Sequence, residues 1–127
     1  MTKRIHGDDV KLKRAYEPAS HADGARVLID RLWPRGVKKT DAKVDEWMKD
    51  IAPSTELRKW FGHDPTRWKE FQDRYAAEVR QHPEQLQRLR ALAREGTLTL
   101  IYSAHDEAHN NAVVVRDLIL DQDLRRA

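Results

Sequence analysis

The chain has 127 residues, a formal net charge of +3, 35% charged and 39% hydrophobic residues, and no cysteine. That length bounds one domain with one core, and the missing cysteines exclude a disulfide framework, a thiolate nucleophile and a cysteine-based zinc site. No apolar run approaches membrane-spanning length and the amino terminus lacks an apolar signal core, so a soluble cytoplasmic protein is the default expectation.

Charge is unevenly spread. Residues 1–40 hold 10 Lys/Arg against 5 Asp/Glu and residues 41–127 hold 14 against 16, giving +5 and −2 and hence +3. The excess favours a negatively charged partner near the first third of the fold: a phosphorylated metabolite, a nucleotide or a nucleic-acid backbone. A net +3 is too mild to require nucleic acid. Because aliphatic residues alone make a thin interior, Trp33, Trp47, Trp60, Phe61, Trp68, Phe71 and Tyr75 are expected to form an aromatic-rich core.

Val10 and Leu12 alternate with Lys11 and Lys13, the period of a half-buried strand ending at Lys13-Arg14. Glu17 to Gly24 reads as a connection, and Arg26 to Leu32 as a second strand whose Val27-Leu28-Ile29 run suits a sheet covered on both faces. Thr40-Asp41 starts a predicted helix in which Val44, Trp47, Met48 and Ile51 recur on one apolar face and which Pro53 ends. Ser54 caps a short helix through Leu57 and Trp60, with Glu56 in its first turn. Asp64-Pro65 opens the next, with Trp68, Phe71 and Tyr75 on one stripe. His82-Pro83-Glu84 starts another, carrying Leu86, Leu89 and Leu92 or Ala93, and Gly96 is expected to stop it in a left-handed backbone. Thr97 to Tyr102 is the clearest strand. Asp106 is expected to cap the last helix, buried through Ala108, Ala112, Val115, Leu118 and Ile119, with residues 121–127 a frayed polar tail.

This order implies a single α/β domain over residues 1–127, a small, mostly parallel sheet of about three to four strands with helices packed against it. Ligands of such sheets bind outside the carboxyl ends of the strands, so the residues following Ile29 and Tyr102 should meet at one edge. Arg14, Arg31, Arg35 and Arg58 follow strands or sit on a short capped helix, and their guanidinium forks suit phosphate or carboxylate. Structural pairing of these arginines with Asp23, Asp30 and Asp50 is the competing reading. Tyr102, Asn110 and Asn111 are ligand hydrogen-bonding candidates at the last strand's exit. Ser103 lacks a Gly-x-Ser-x-Gly elbow and reads as structural. His105 and His109 lack the third ligand and the His-Glu-x-x-His spacing of a metal site, so no metal and no cofactor are expected. Asp30 and His63 are the acid/base candidates.

Lys13-Arg14-x-Tyr16, Asp23-Gly24-x-Arg26 through Arg35-Gly36, Trp47 through Ala52-Pro53-Ser54-x-x-Leu57-Arg58, and Tyr102 through Asn110-Asn111-Ala112 together resemble the YeaO-like family of small bacterial proteins, domain of unknown function 488. The resemblance spans nearly the whole chain. It implies a compact α/β domain and brings no established activity. Relatives outside the YeaO-like branch often carry a cysteine at the end of the last strand and Cys-His-Arg near the following helix, where this chain has Tyr102 and Asn110-Asn111-Ala112; the resemblance therefore implies no thiol chemistry here. The leading expectation is a small anionic, phosphorylated or nucleotide-like ligand at the arginine-lined strand ends, with or without acid/base chemistry. The alternatives are a nucleic-acid-binding module using Lys3, Arg4, Lys11, Lys13, Lys38 and Lys39, and a protein-interaction domain without a ligand.

Overall fold

A computed structural model describes residues 4–126, with side chains as far as Asp121. Strands β1 (Val10–Arg14), β2 (Ala25–Leu28), β3 (Glu46–Trp47) and β4 (Leu98–Tyr102) form one sheet, parallel throughout, in the order β1-β4-β2-β3. β4 is the last strand in sequence yet lies inside the sheet, which is why its five residues are all buried and uniformly apolar or β-branched. Its register sets Arg14 beside Tyr102 and Leu28 beside Ile101, bringing the three strand exits level.

The entry to β2 is tightly built. Gly24 adopts φ +62, and a Cβ there would lie 2.2 Å from the Thr97 carbonyl oxygen, so only glycine lets this turn sit against the approach to β4. Ala25 N–H donates to the Thr97 carbonyl and Thr99 Oγ1 to that of Asp23, joining both strands at their amino ends.

The helices α2 (Thr55–Phe61), α3 (Trp68–Arg80), α4 (Pro83–Glu95) and α5 (Asn111–Arg126) enclose the main core, where Phe61, Phe71, Tyr75, Val79, Leu89, Val115 and Ile119 meet Val27, Ile29, Leu98 and Leu100 of the sheet. Phe61 and Phe71 stack at 4.3 Å, with Trp68 and Tyr75 continuing the row. A smaller cluster of Ala15, Leu28 and Ile101 is covered by Trp33, Val37, Val44 and Trp47. Ser54 caps α2 by accepting from Leu57 N–H, as expected, and Asp64 accepts from Thr66 N–H in the turn before α3.

Four local expectations are corrected. The second strand ends at Leu28 instead of Leu32, although Ile29 N–H still donates to the Ile101 carbonyl. The helix foreseen from Thr40 to Ile51 lasts only as α1 (Lys39–Ala42): Lys43 turns left-handed at φ 48, Glu46–Trp47 pairs with β2, and Lys49–Ile51 forms a 3-10 turn. The helical spacing was coincidental, because Val44 and Trp47 join the small cluster whereas Met48 and Ile51 join the main core. Gly96 ends α4 in extended backbone at φ 173, its N–H bonded to the Leu92 carbonyl. Helix α5 begins at Asn111, five residues after Asp106, and Asn110 Oδ1 accepts from Val113 N–H in the capping role, leaving Ala108 exposed ahead of the helix. At the other end α5 continues to Arg126, and of the expected tail Ala127 lies outside the described residues.

Candidate functional site

The carboxyl edge of the sheet is organised around Asp30, which leaves β2 just after its last ladder bond. Asp30 Oδ2 accepts from Ser103 N–H at 2.9 Å and Ser103 Oγ at 2.7 Å, while Oδ1 accepts from Asn111 Nδ2 at 3.0 Å. Asn111, 9% exposed, also donates to the Ile29 carbonyl at 3.1 Å. Trp47 Nε1 donates to the Asp30 carbonyl at 2.8 Å. One carboxylate thus ties together the exits of β2 and β4, the start of α5 and, through its backbone, β3.

Burial pushes the Asp30 carboxyl above its ordinary 3.8, outweighing the donors on Ser103 and Asn111 and the Arg58 cation that favour the charged form. Beneath it Tyr75 donates to the Ile51 carbonyl at 2.6 Å, and its phenol is raised well above 10.0 by burial first and by the Asp30 charge second. Ser103 directs its O–H at Asp30 within proton-transfer distance. The same carboxylate oxygen also receives the Ser103 N–H, which lowers its appetite for that proton.

The anticipated ligand residues divide by how far their polar atoms are already engaged. Arg14 Nε donates to the Ala104 carbonyl at 2.9 Å, and its Nη2 reaches the Ser103 carbonyl at 3.4 Å and His105 Nδ1 at 3.2 Å, with the guanidinium 5.0 Å over Tyr16. It clamps the β4–α5 loop to β1. Asn110, 2% exposed, spends its amide on the Asp106 carbonyl and its oxygen on Val113 N–H. Tyr102 is buried at the end of β4, and its phenol is raised by burial and then by Glu107 and Glu17. Arg31 donates at 3.3 and 3.4 Å to the carbonyls of Ala52 and Pro53, and lines a cavity of about 170 Å³ shared with Asp50, Glu78 and His82. Glu78 is held there by Ser54 N–H and Oγ.

Arg35 and Arg58 are exposed, and no hydrogen bond or ion pair of either guanidinium occurs among the described residues. The loop bearing Arg35 is fastened through its backbone, where Tyr16 Oη donates to the Arg35 carbonyl at 3.1 Å. His63 stands beyond the end of α2 at φ 56, its ring 6.2 Å from Phe61 in the aromatic row.

Several pairings carried no sequence signal, although the residues themselves stood out. Ser103 and Asn111 meet Asp30 across separations of 73 and 81 residues. His109 Nδ1 lies 2.8 Å from Asp106 Oδ2, with its ring against Trp68. Side-chain contacts on Asp106 and backbone contacts from Ala108 and His109 hold its carboxyl below 3.8, the His109 ring first. Among the described residues no group of three or more His, Cys, Asp or Glu is placed to hold a metal, and no helix is long and apolar enough to cross a membrane.

Most of the described basic residues of the first third are exposed, and several are engaged within the protein. Lys13 pairs with Asp23 at 3.1 Å, Lys11 donates to the Ala22 carbonyl, and Lys39 lies over Trp33. Lys3 lies outside the described residues.

Comparison with known proteins places this geometry in a lineage. The chain is 48% identical over 109 residues, 86% of its length and 95% of the relative's, to the uncharacterized protein YeaO of Escherichia coli K12. It is 40% identical over 110 residues, 87% of its length and 92% of the relative's, to the uncharacterized protein Rv3073c of Mycobacterium tuberculosis H37Rv. No solved structure matches it significantly. Residues 9–127 match the family model DUF488-N3i, described as the inactive DUF488-N3 subclade, and the chain therefore belongs to the YeaO-like DUF488 family.

Proposed function

We propose that this is a cytoplasmic binding domain that takes a small anionic, phosphorylated or nucleotide-like ligand at the carboxyl edge of its sheet without turning it over. The observation that carries the reading is the imbalance around Asp30. Arg58 and the amino-terminal end of α5 both converge on a single carboxylate whose bonds are already complete inside the protein. A helix start contributes roughly half a positive charge, so together with Arg58 the edge retains positive potential, and Arg58 and Arg35 have guanidiniums open to an oxyanion. Arg31 is less suited, because Asp50 and Glu78 share its cavity.

The lack of turnover follows from the same joint. Asp30 is committed as a positioning group for Ser103 and Asn111, and the ring contact that His63 makes is with Phe61. The description of the matching family as an inactive subclade agrees with this.

Calorimetric titration with inorganic phosphate, AMP and ADP tests the proposal. Binding should weaken about tenfold in Arg58→Ala, the loss of one charge-assisted contact, and should fall further when Arg35→Ala is added. Equal affinity in wild type and the double variant refutes the site; ligand hydrolysis that disappears in Asp30→Asn refutes the absence of turnover.

A second reading, protein interaction, rests on Leu32 and Tyr16, which are 64% and 48% exposed on the two loops at this edge. Leu32→Ser should leave anion binding intact and abolish any association that depends on that edge.

A further inference from the structure

Beside the carboxyl edge, the loop that follows β2 brings a run of cations to the surface among aromatic rings. Residues 31–40 contain Arg31, Arg35, Lys38 and Lys39 and no carboxylate, and all four cations are exposed. Two of the carboxylates that come next are spent inside the protein: Asp45 Oδ2 accepts from Arg26 N–H at 2.8 Å, and Glu46 pairs with Arg88. Asp41 and Glu17 stay exposed, so the patch keeps an excess of positive charge.

The rings are fixed beside these cations. Tyr16 is 48% exposed, its Oη donates to the Arg35 carbonyl at 3.1 Å, and the Arg14 guanidinium lies 5.0 Å from its ring centroid. Trp33 and Trp47 are half-buried and meet edge to face at 5.4 Å, with Lys39 5.7 Å from the first ring and Lys49 4.0 Å from the second. Their indole N–H groups donate to the carbonyls of Val37 and Asp30, which holds both rings in place. Ala15, next to Tyr16 in the chain, lies in the small cluster that Trp33 and Trp47 cover, so the three rings belong to one region of the surface.

Shape and charge together select the partner. The cavity beside Arg31 includes none of Tyr16, Trp33, Arg35 and Lys38. Open surface with repeated cations suits a polymer that makes many weak contacts better than a small molecule that needs enclosure. An acidic peptide would engage only the cations, whereas a nucleic-acid strand engages the cations through its phosphates and the rings through its bases. A duplex fits poorly, because its bases are stacked away from the rings and α1, the helix at this surface, has four residues, too few to read a major groove.

We infer that this face binds single-stranded nucleic acid, with phosphates on Arg35, Lys38 and Lys39 and a base stacked on Tyr16. The inference rests on the anion reading of the carboxyl edge, whose nucleotide-like ligand it identifies as one unit of a strand. Trp33 and Trp47, each with a lysine at its ring, extend the platform to neighbouring units.

The test is fluorescence anisotropy of the full chain with labelled oligothymidylate and oligouridylate of about twelve nucleotides at a series of salt concentrations. A duplex of equal length, polyglutamate and AMP are the comparison probes. One or both strands should bind, with log affinity falling linearly with log salt. Lys38→Ala combined with Lys39→Ala should weaken binding at least about tenfold and make that slope shallower by about 1.4, two phosphate contacts at about 0.7 each. Tyr16→Ala should weaken binding about tenfold with the slope unchanged, and Tyr16→Phe, which keeps the ring, should retain most of the affinity. Lys11→Ala, near the amino end of β1, should bind like wild type. The inference is overturned if polyglutamate or the duplex binds as tightly as the strands, if Tyr16→Ala binds like wild type, or if Lys11→Ala weakens binding as much as the Lys38 and Lys39 pair. If AMP binds through Arg58 and neither strand binds more tightly than AMP, this inference falls and the anion reading stands; if nothing binds, both fall.

Discussion

Removing the Asp30 carboxylate should loosen the joint on which the carboxyl edge depends, and the structure sets the size of the effect. Asp30→Ala strands two Ser103 donors and one Asn111 donor at a part-buried position. At about 1 kcal/mol for each unmet donor, less some relief from no longer burying a charge, the cost is about 2–3 kcal/mol. Asp30→Asn can still accept both Ser103 donors through its oxygen but sets its own N–H₂ against Asn111 Nδ2. Asn111 cannot rotate its amide to compensate without turning an oxygen toward the Ile29 carbonyl that it now bonds. That variant should lose about 1–2 kcal/mol.

The pH dependence carries a definite sign. Burial raises the folded-state pKa of Asp30 above 3.8, so the folded protein holds this proton more tightly than the unfolded chain. The associated stabilisation is fully present below the unfolded pKa and is lost as pH rises through the raised one. The advantage of wild type over Asp30→Asn should therefore be largest below pH 3.8 and shrink as pH rises toward neutrality. Urea unfolding followed by tryptophan emission at a series of pH values measures both quantities. A cost for Asp30→Ala below about 0.5 kcal/mol, within the range of ordinary surface substitutions, or an advantage that grows with pH, refutes the account of Asp30 as a desolvated structural tie.

Asp23 should behave in the opposite sense: burial opposes its ionisation, but Ser20 N–H, Lys13 and Arg26 together hold its carboxyl below 3.8. Its contribution is present above the unfolded pKa and is lost as pH falls through the lowered one, and Asp23→Asn, which leaves the Arg26 cation buried without its partner, should cost about 3–5 kcal/mol in urea unfolding. Gly24→Ala, with its Cβ driven to 2.2 Å from the Thr97 carbonyl oxygen in a left-handed turn, should cost at least about 3 kcal/mol, seen as a collapse in soluble yield and Tm. Tyr75→Phe removes the donor to the buried Ile51 carbonyl and should lower unfolding stability by about 1–2 kcal/mol with no loss of packing volume.

Much of the architecture was legible along the chain. The strands at Val10 and Leu98, the Ser54 cap, the aromatic stripe of α3 and the proline start of α4 are set by side chains acting within a few residues of themselves, so period and capping chemistry expose them. The segment from Thr40 to Ile51 failed for a physical reason. Its apolar residues serve two different clusters, and an apparent helical stripe cannot be distinguished from residues shared between the clusters until β2 is in place beside it. The capping of α5 failed similarly, because Asp106 and Asn110 are both good caps and the choice was made by the burial of Asn110 against the loop.

For the site, the sequence alone determined the family resemblance, the α/β class, the absence of thiol chemistry and the loop on which Asp30, Arg31 and Arg35 stand. Those properties depend on residue identity and short-range spacing. Only the tertiary structure decided which of those residues are free. It engaged Arg14 and Asn110 in holding the β4–α5 loop, completed the Asp30 carboxylate with partners more than seventy residues away, and left Arg35 and Arg58 open. A side chain's availability depends on the acceptors brought to it by distant segments, and the insertion of β4 between β1 and β2 is what brought them.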